Sequence, residues 1–414
     1  LARRLGTADA VTIGLGSMIG AGVFAVFAPA ARAAGGWLLV GLALAAAVAY
    51  CNATSSARLA ARHPESGGTY VYGRERLGPF WGYLAGWSFV VGKTASCAAM
   101  ALTFAAYAAP GQERMVAVVA VLALTALNWR GVQKSVAATR VIVAVVLAVL
   151  AATVVVALVA PPADPGGVLG GEAVSWHGVL QAAGLIFFAF AGYARIATLG
   201  EEVRDPARTI PRAIPLALLV TLVVYAAVAA AALAVLGPDR LAAASAPLAE
   251  VVDAAGAGWL LPVVRAGAAL AALGSLLALI LGVSRTTFAM ARDRYLPAAL
   301  SAVHPRYQVP HRAELAVGLV VAVVAATADL RAAIGFSSLG VLLYYAIANA
   351  AALRLRPEEN RPARVIPVAG IVGCLGLAAA LPRESALAGT AVVALGAVVY
   401  AVRLAWLRRR PLIG

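Results

Sequence analysis

Four glycines fall within eleven residues in the segment GLGSMIGAGVF, Gly14 to Phe24, inside an otherwise apolar stretch. A glycine inside a helix costs about 1 kcal/mol relative to alanine, so a helix crossing this segment is weakened at Gly14, Gly16, Gly20 and Gly22. Where it unwinds around Gly20 to Gly22, the half that follows starts with unpaired amides and carries partial positive charge. The half that precedes ends in unpaired carbonyls of the opposite sign. That arrangement suits a ligand bearing both a carboxylate and an ammonium group, and glycine lets such a ligand reach the backbone without a Cβ in the way. The competing reading of Gly16 and Gly20 is a small-residue face that packs on a neighbouring membrane helix. A second irregular segment, LIFFAFAGYARIATLGEE from Leu185 to Glu202, sets Gly192 among four aromatic residues and follows it with Arg195, an expensive residue at membrane depth. Arg195 is expected to bond freed carbonyls in a structural role.

The elements that must carry these breaks are membrane helices. Of 414 residues, 63% are hydrophobic and 12% charged, and apolar runs long enough to cross a bilayer recur from end to end. Twelve spans are expected, near residues 9–33, 37–62, 79–108, 114–128, 136–160, 178–200, 212–236, 257–291, 313–328, 330–355, 364–381 and 385–407. The chain therefore reads as one all-α polytopic membrane domain over 1–414. The net charge of +15 admits nucleic acid as a partner only if the basic residues are not accounted for otherwise. Most of the 33 fall in alternate loops, in runs such as RDPARTIPR and RLAWLRRRP, which by the positive-inside rule puts both termini in the cytoplasm and makes the arginines lipid-headgroup anchors. No nucleic-acid partner is then needed. The first residues have the basic start and small-residue stretch of a secretory leader, but their apolar segment is interrupted by glycines, so the segment is expected to be retained as a helix. Three scattered cysteines, Cys51, Cys97 and Cys374, suggest neither disulfides nor a metal site. The four histidines fall in loops and no carboxylate pair lies mid-membrane, which disfavours an intramembrane enzyme.

Spans four and nine are the two shortest and lie five positions apart, as an internal five-helix repeat requires. The repeats would cover 9–160 and 178–355, with 364–407 forming two additional helices. An odd number of helices per copy inverts the second copy, and helix 1 then corresponds to helix 6. The glycine-rich and aromatic irregularities thus occupy equivalent places.

GLGSMIGAGVF, FFAFAGYARIATLGEEVRDPARTIPRAIP, SRTTFAMARDRYLP, PESGGTYVYGRERLGPFWGYLAGW and NWRGVQKS together resemble the amino acid/polyamine/organocation (APC) superfamily of permeases, close to its cationic amino acid transporter-like branch. The resemblance spans nearly the whole chain. It implies a LeuT-like fold of five plus five inverted helices, with helices 1 and 6 broken and two extra C-terminal helices, working by alternating access. Carried over by position, it puts carboxylate donors on the amides of Ala21 and Gly22, beside Gly20, and ammonium acceptors on the carbonyls of Met18, Phe188 and Ala191. Phe188 also falls where the family has an aromatic gate, whereas Phe187 reads as packing. Glu201 and Glu202, beside Arg204, fall in the cytoplasmic gate region, with Arg285 after Ser284 an ionic partner for Glu201; the alternative is a solvated, charge-neutralised turn. Ser275 is a candidate oxygen for a helix 1–helix 8 cation site, or bonds back to its own helix.

One departure concerns energy coupling. The lysine that proton-coupled members often carry in helix 5 is replaced here by Val146. A different lysine, Lys93, lies about 20 Å along helix 3, inside the hydrocarbon region. By resemblance it faces the substrate side chain, to pair with an acidic group or carry a proton, and the alternative is snorkelling to the membrane edge. The expected function is secondary transport of an amino acid across a bacterial cytoplasmic membrane, without a cofactor, the coupling ion being H+ or Na+. The rivals are transport of a polyamine or other organic amine, and a non-transporting membrane sensor.

Overall fold

The computed structural model describes residues 5–63, 67–131, 136–161, 175–197 and 203–409. Along them seventeen α-helices succeed one another: α1 Thr7–Met18, α2 Ala21–Ala25, α3 Phe27–Ala34, α4 Leu38–Arg62, α5 Thr69–Leu77, α6 Pro79–Ala108, α7 Glu113–Trp129, α8 Val136–Val159, α9 Trp176–Phe190, α10 Ala194–Ala197, α11 Pro206–Ala243, α12 Pro247–Ala254, α13 Leu261–Arg292, α14 His311–Thr327, α15 Leu330–Leu353, α16 Val365–Ala380 and α17 Arg383–Arg409. Nine helical stretches among the described residues are long and apolar enough to cross a membrane. Three expected spans, the fourth, ninth and eleventh, appear as the shorter helices α7, α14 and α16, of 17, 17 and 16 residues. The eleventh, rather than the fourth or ninth, is the shortest of the three. Leu158, Val159, Leu219, Val223 and Val323 point outward, as helices bathed in lipid require.

Local chemistry sets the boundaries. α6 begins at Pro79, whose missing N–H falls at a position without an intrahelical acceptor, and Gly78 before it takes φ +108°. Asp329 caps α15 by accepting from the Ala332 amide at 2.8 Å, and Ser175 caps α9 by accepting from Gly178 at 3.1 Å. α11 runs past the expected end at 236 only across a break at Gly237, φ +69°, next to Pro238.

α6 is enclosed, running against both α13 and α15. Gly92 and Gly340 allow the close approach to α15. A Cβ at Gly340 would stand 2.8 Å from the Gly92 Cα, and Ser96 and Ser337 share a hydrogen bond of 2.5 Å beside them. A buried polar chain joins α4, α15 and α16. Ser55 donates to Asn349 Oδ1, Asn349 Nδ2 donates to Asn52 Oδ1, and the Cys374 thiol reaches the same Asn52 oxygen. α17 lies outermost, and its Tyr400 meets Tyr83 and Phe80 of α6.

At the α4 and α5 ends, Glu359 gathers three partners. Arg76 binds both carboxylate oxygens at 2.6 and 3.0 Å, Arg62 donates at 3.0 Å, and the Arg356 amide at 2.8 Å. The Arg76 bidentate contact chiefly, with the Arg356 amide and the Arg62 charge, holds the Glu359 carboxyl down to about 2. Because this lies below the ordinary 4.5, the cluster contributes stability above about 4.5 and loses it as pH falls toward about 2. Glu359→Gln should therefore lower the melting temperature at neutral pH and flatten its decline on acidification, and parallel melting curves for variant and wild type would contradict this. The charge asymmetry makes a second prediction. A single cysteine at Pro357 in a cysteine-free background should resist an impermeant thiol reagent added outside intact cells, and one at Gln112 should react. The opposite pattern would reject the orientation.

Candidate functional site: the paired helix breaks

α1 stops at Met18. Ile19 (φ −83°, ψ 52°) and Gly20 (φ −106°, ψ −134°) leave helical geometry, and the helix restarts at Ala21 with no side chain capping it. Val26 keeps a helical conformation, and its amide and carbonyl bond Gly22 and Ala30 at 3.0 and 3.1 Å, so α2 and α3 form one run interrupted only in detail. Pro29 explains the interruption, since it offers no N–H to the Ala25 carbonyl and crowds it. The amides of Ala21 and Gly22 thus open a helical run that continues to Ala34, with the polarity expected of a carboxylate-binding end.

The second break lies against the first. α9 ends at Phe190, residues Ala191–Tyr193 tighten into a 3-10 turn, and α10 resumes for Ala194–Ala197. Gly192 is required here by contact: a Cβ on it would stand 2.3 Å from the Ser17 carbonyl oxygen. Gly14 likewise fits beneath Ile196. Gly22 corrects the sequence reading in part, because its missing Cβ makes room for Ala189 of α9, 2.7 Å away, rather than for a ligand. Substituting it would prise helix 1 from helix 6.

Tyr225 of α11, which sequence reasoning does not single out, reaches both breaks. Its buried hydroxyl lies 2.5 Å from the Met18 carbonyl and 3.1 Å from the Ala189 carbonyl. One hydroxyl has one proton, so only one carbonyl accepts it at a time. Tyr345 of α15 similarly approaches the Ala191 carbonyl at 3.4 Å and stacks on Tyr193, with centroids 5.0 Å apart. Two expected ammonium acceptors, Met18 and Ala191, therefore already face tyrosine hydroxyls. The aromatics of helix 6 are all buried. Phe187 and Phe190 are fully buried against Tyr345 and Tyr225, while Phe188 keeps 7% of its surface open.

Ser275 of α13 sits in the notch that Gly20 leaves, where a Cβ would stand 2.0 Å from its Oγ, and that hydroxyl lies 3.5 Å from the Gly16 carbonyl. Thr139 and Val143 of α8 pack on Gly16, and Val146, one turn on, is fully buried. Lys93 is 8% exposed and has no hydrogen-bond or ion-pair partner among the described residues. It precedes Tyr107 by fourteen residues, which brings it to within about 40° of the same helix face. Tyr107 turns that face toward helix 1 by donating to the Phe24 carbonyl at 3.1 Å. Arg285 and Arg195 are exposed. Glu201 and Glu202 lie outside the described residues. Just after them, Val203 bridges to Leu5, and the Arg204 amide donates to the Leu5 carbonyl at 2.8 Å, which ties the start of helix 1 to the end of helix 6.

Against known proteins, the amino acid permease family profile matches residues 5–402. The chain belongs to that family. This permease is 69% identical to an uncharacterized transporter of Mycobacterium tuberculosis over 99% of its own length and 93% of the relative's. It is 27% identical to a branched-chain amino acid permease of Bacillus subtilis, covering 91% of this chain and 86% of that one. With human cationic amino acid transporter 4 it shares 28% identity over 87% of this chain and 61% of that one. It is a multi-pass membrane transporter of the APC superfamily rather than an enzyme.

The permease's helix 1–helix 6 junction yields a direct test. Tyr225→Phe removes the hydroxyl that serves Met18 and Ala189, and should cost about 1 kcal/mol of stability, read as a lower melting temperature in detergent. An unchanged melting temperature would show that neither carbonyl depends on Tyr225.

Proposed function

We propose that the permease carries an α-amino acid across a bacterial cytoplasmic membrane by alternating access, with the paired helix breaks as its binding site. The observation that carries this reading is the contact of Gly192 with the Ser17 carbonyl, which brings amides of one broken helix and carbonyls of another into one place. The substrate carboxylate is assigned to the Ala21 and Gly22 amides, beside Gly20. Its ammonium is assigned to the carbonyls of Met18, Phe188 and Ala191, in exchange for the tyrosine hydroxyls now near two of them. A decarboxylated amine would leave the amide end unused, which favours the amino acid over the amine reading. The inverted repeat, residues 9–160 against 178–355, belongs to the same proposal and accounts for a break in each half. So do the cytoplasmic termini and a gate involving Glu201, Arg285 and the Phe188 ring.

Lys93 bears on the side chain carried. The buried Lys93 amine, without a partner among the described residues and on the helix 3 face turned toward helix 1, gains a counter-charge from an acidic side chain, donates to a neutral one and is opposed by a cationic one whenever it is protonated. The substrate class proposed is therefore a neutral or acidic amino acid, although one similar protein is named a cationic transporter. Ser275, against Gly20 and the Gly16 carbonyl, is the place proposed for coupling-ion chemistry at helices 1 and 8.

Counterflow in liposomes tests the reading. Unlabelled amino acid inside should accelerate entry of the labelled one, and rates equal to those of empty liposomes would sink the proposal. Phe188→Ala should weaken apparent affinity roughly tenfold, about 1.4 kcal/mol, without lowering the melting temperature. The fully buried Phe187 should show the reverse pattern on truncation. For Lys93→Met, the preference of wild type for leucine or glutamate over arginine should narrow roughly tenfold, and a wild type that binds arginine best would refute the role given to this lysine.

A further inference from the structure

Away from the helix breaks, the contact between α7, α13 and α14 encloses polar atoms that have no partners. Glu314, in the first turn of α14, is 0% exposed, and neither of its carboxylate oxygens meets a donor. On α7, Asn128 Oδ1 and Trp129 Nε1 are buried without partners as well. The two helices run antiparallel, with Gly318 against Thr125 at one point and Gly131 against Val309 at another. One turn from the first contact, that register sets Glu314 level with Trp129.

A route leads from this carboxyl to the adjoining loop. His311 precedes Glu314 by three residues, so the two share a helix face. Its Nδ1 is buried without a partner, and its ring lies 5.4 Å from that of His304, which in turn lies 5.8 Å from the Trp129 ring. His304 is half-buried, at the edge of solvent. Burial, then the neighbouring His304 and Arg312 charges, holds His311 below the ordinary imidazole value, which favours the neutral ring, able to accept at one nitrogen and donate from the other.

Charges around Glu314 are few. Arg285 on α13 acts on it electrostatically without bonding it. Of the helices packed on α14, α6 carries Lys93 and Cys97 along its length and α13 also Arg265 and Arg292, while α14 itself carries His311 and Arg312. The preceding segment carries His304, Arg306 and Tyr307, and α7 has no titratable side chain between Arg114 and Arg130. An ionised carboxylate without water or hydrogen bonds is strongly disfavoured, whereas a carboxylic acid tolerates the same place.

We propose that Glu314 is a proton-binding site of the permease, filled from the adjoining aqueous face by way of His304 and His311. The carboxylate takes one proton to become a carboxylic acid enclosed between α7, α13 and α14, and returns it when those helices part and Arg285 and water gain access. The site itself stands on geometry alone. Its place in coupling rests on the transport reading above.

Infrared difference spectroscopy of the purified protein separates the two. Wild type minus Glu314→Gln at neutral pH should show the carbonyl band of one buried carboxylic acid, and the absence of that band overturns the proposal even if amino acid exchange is normal. In liposomes Glu314→Gln should retain exchange but lose the dependence of flux on the pH of the compartment that the His304–His311 loop faces, and an undiminished dependence would equally overturn it. Absence of any amino acid flux in wild type would instead remove the transport reading and leave the infrared result standing. Should Glu314→Gln fail to fold, His311→Gln serves in its place. It should slow hydrogen–deuterium exchange of the band roughly tenfold, and an unchanged exchange rate would eliminate the route.

Discussion

Within a bilayer every backbone N–H and C=O must find a partner inside the protein, and the arrangement of this permease follows from breaking that rule in two adjacent helices. Ile19 and Gly20 end one helix and begin another where no water of the bulk can serve. The structure answers with side chains from elsewhere in the chain. Tyr225 meets carbonyls of both breaks, Tyr345 approaches that of Ala191, and Ser275 fills the space at Gly20 beside the Gly16 carbonyl. The amides at Ala21 and Gly22 have no side-chain cap. That imbalance, carbonyls attended and amides left open, is what a ligand carboxylate would relieve.

The surrounding helices hold the breaks in register by close packing more than by polar bonds. Small residues recur where backbones touch, as at Gly92 against Gly340 and Gly192 against Ser17. In lipid, where apolar side chains gain little by meeting each other, such contacts are the main source of helix association. The few buried polar clusters lie where helices of distant sequence meet. Asn52, Ser55, Asn349 and Cys374 join three of them, and the Glu359 cluster fixes the ends of α4 and α5 to the turn before α16.

Much of this architecture is legible in the chain, for identifiable reasons. Apolar runs mark the long helices because hydrocarbon leaves no other option, and glycines mark the helix 1 break because little else excuses them there. Motif position is what tells Phe188 from Phe187 in the sequence, since burial alone makes both core residues, at 7% and 0% exposure. What stays hidden in the sequence depends on distant partners. Tyr225 stands in an alanine-rich run that reads as lipid-facing filler, with only its hydroxyl as a hint. Gly22 looks like clearance for a ligand but clears Ala189, which no local pattern discloses. Glu314 reads as a solvated charge at a helix start until α7 closes over it. The apolar run of helix 7 ends at 236, and the chain does break there, at Gly237, yet helical turns resume beyond it.

The central claim is that one small molecule bridges two broken helices by its two charged ends. Titration of purified protein with leucine, with the amine that leucine yields on decarboxylation and with the acid that it yields on deamination tests this most directly, because the three share a side chain and differ only at the ends. Each charge-assisted contact is worth about 1.5–3 kcal/mol, so either truncated ligand should bind at least roughly tenfold more weakly than leucine. Should the amine bind as tightly as the amino acid, the open amides at Ala21 and Gly22 are not a carboxylate site, and the account of the helix 1 break would be wrong.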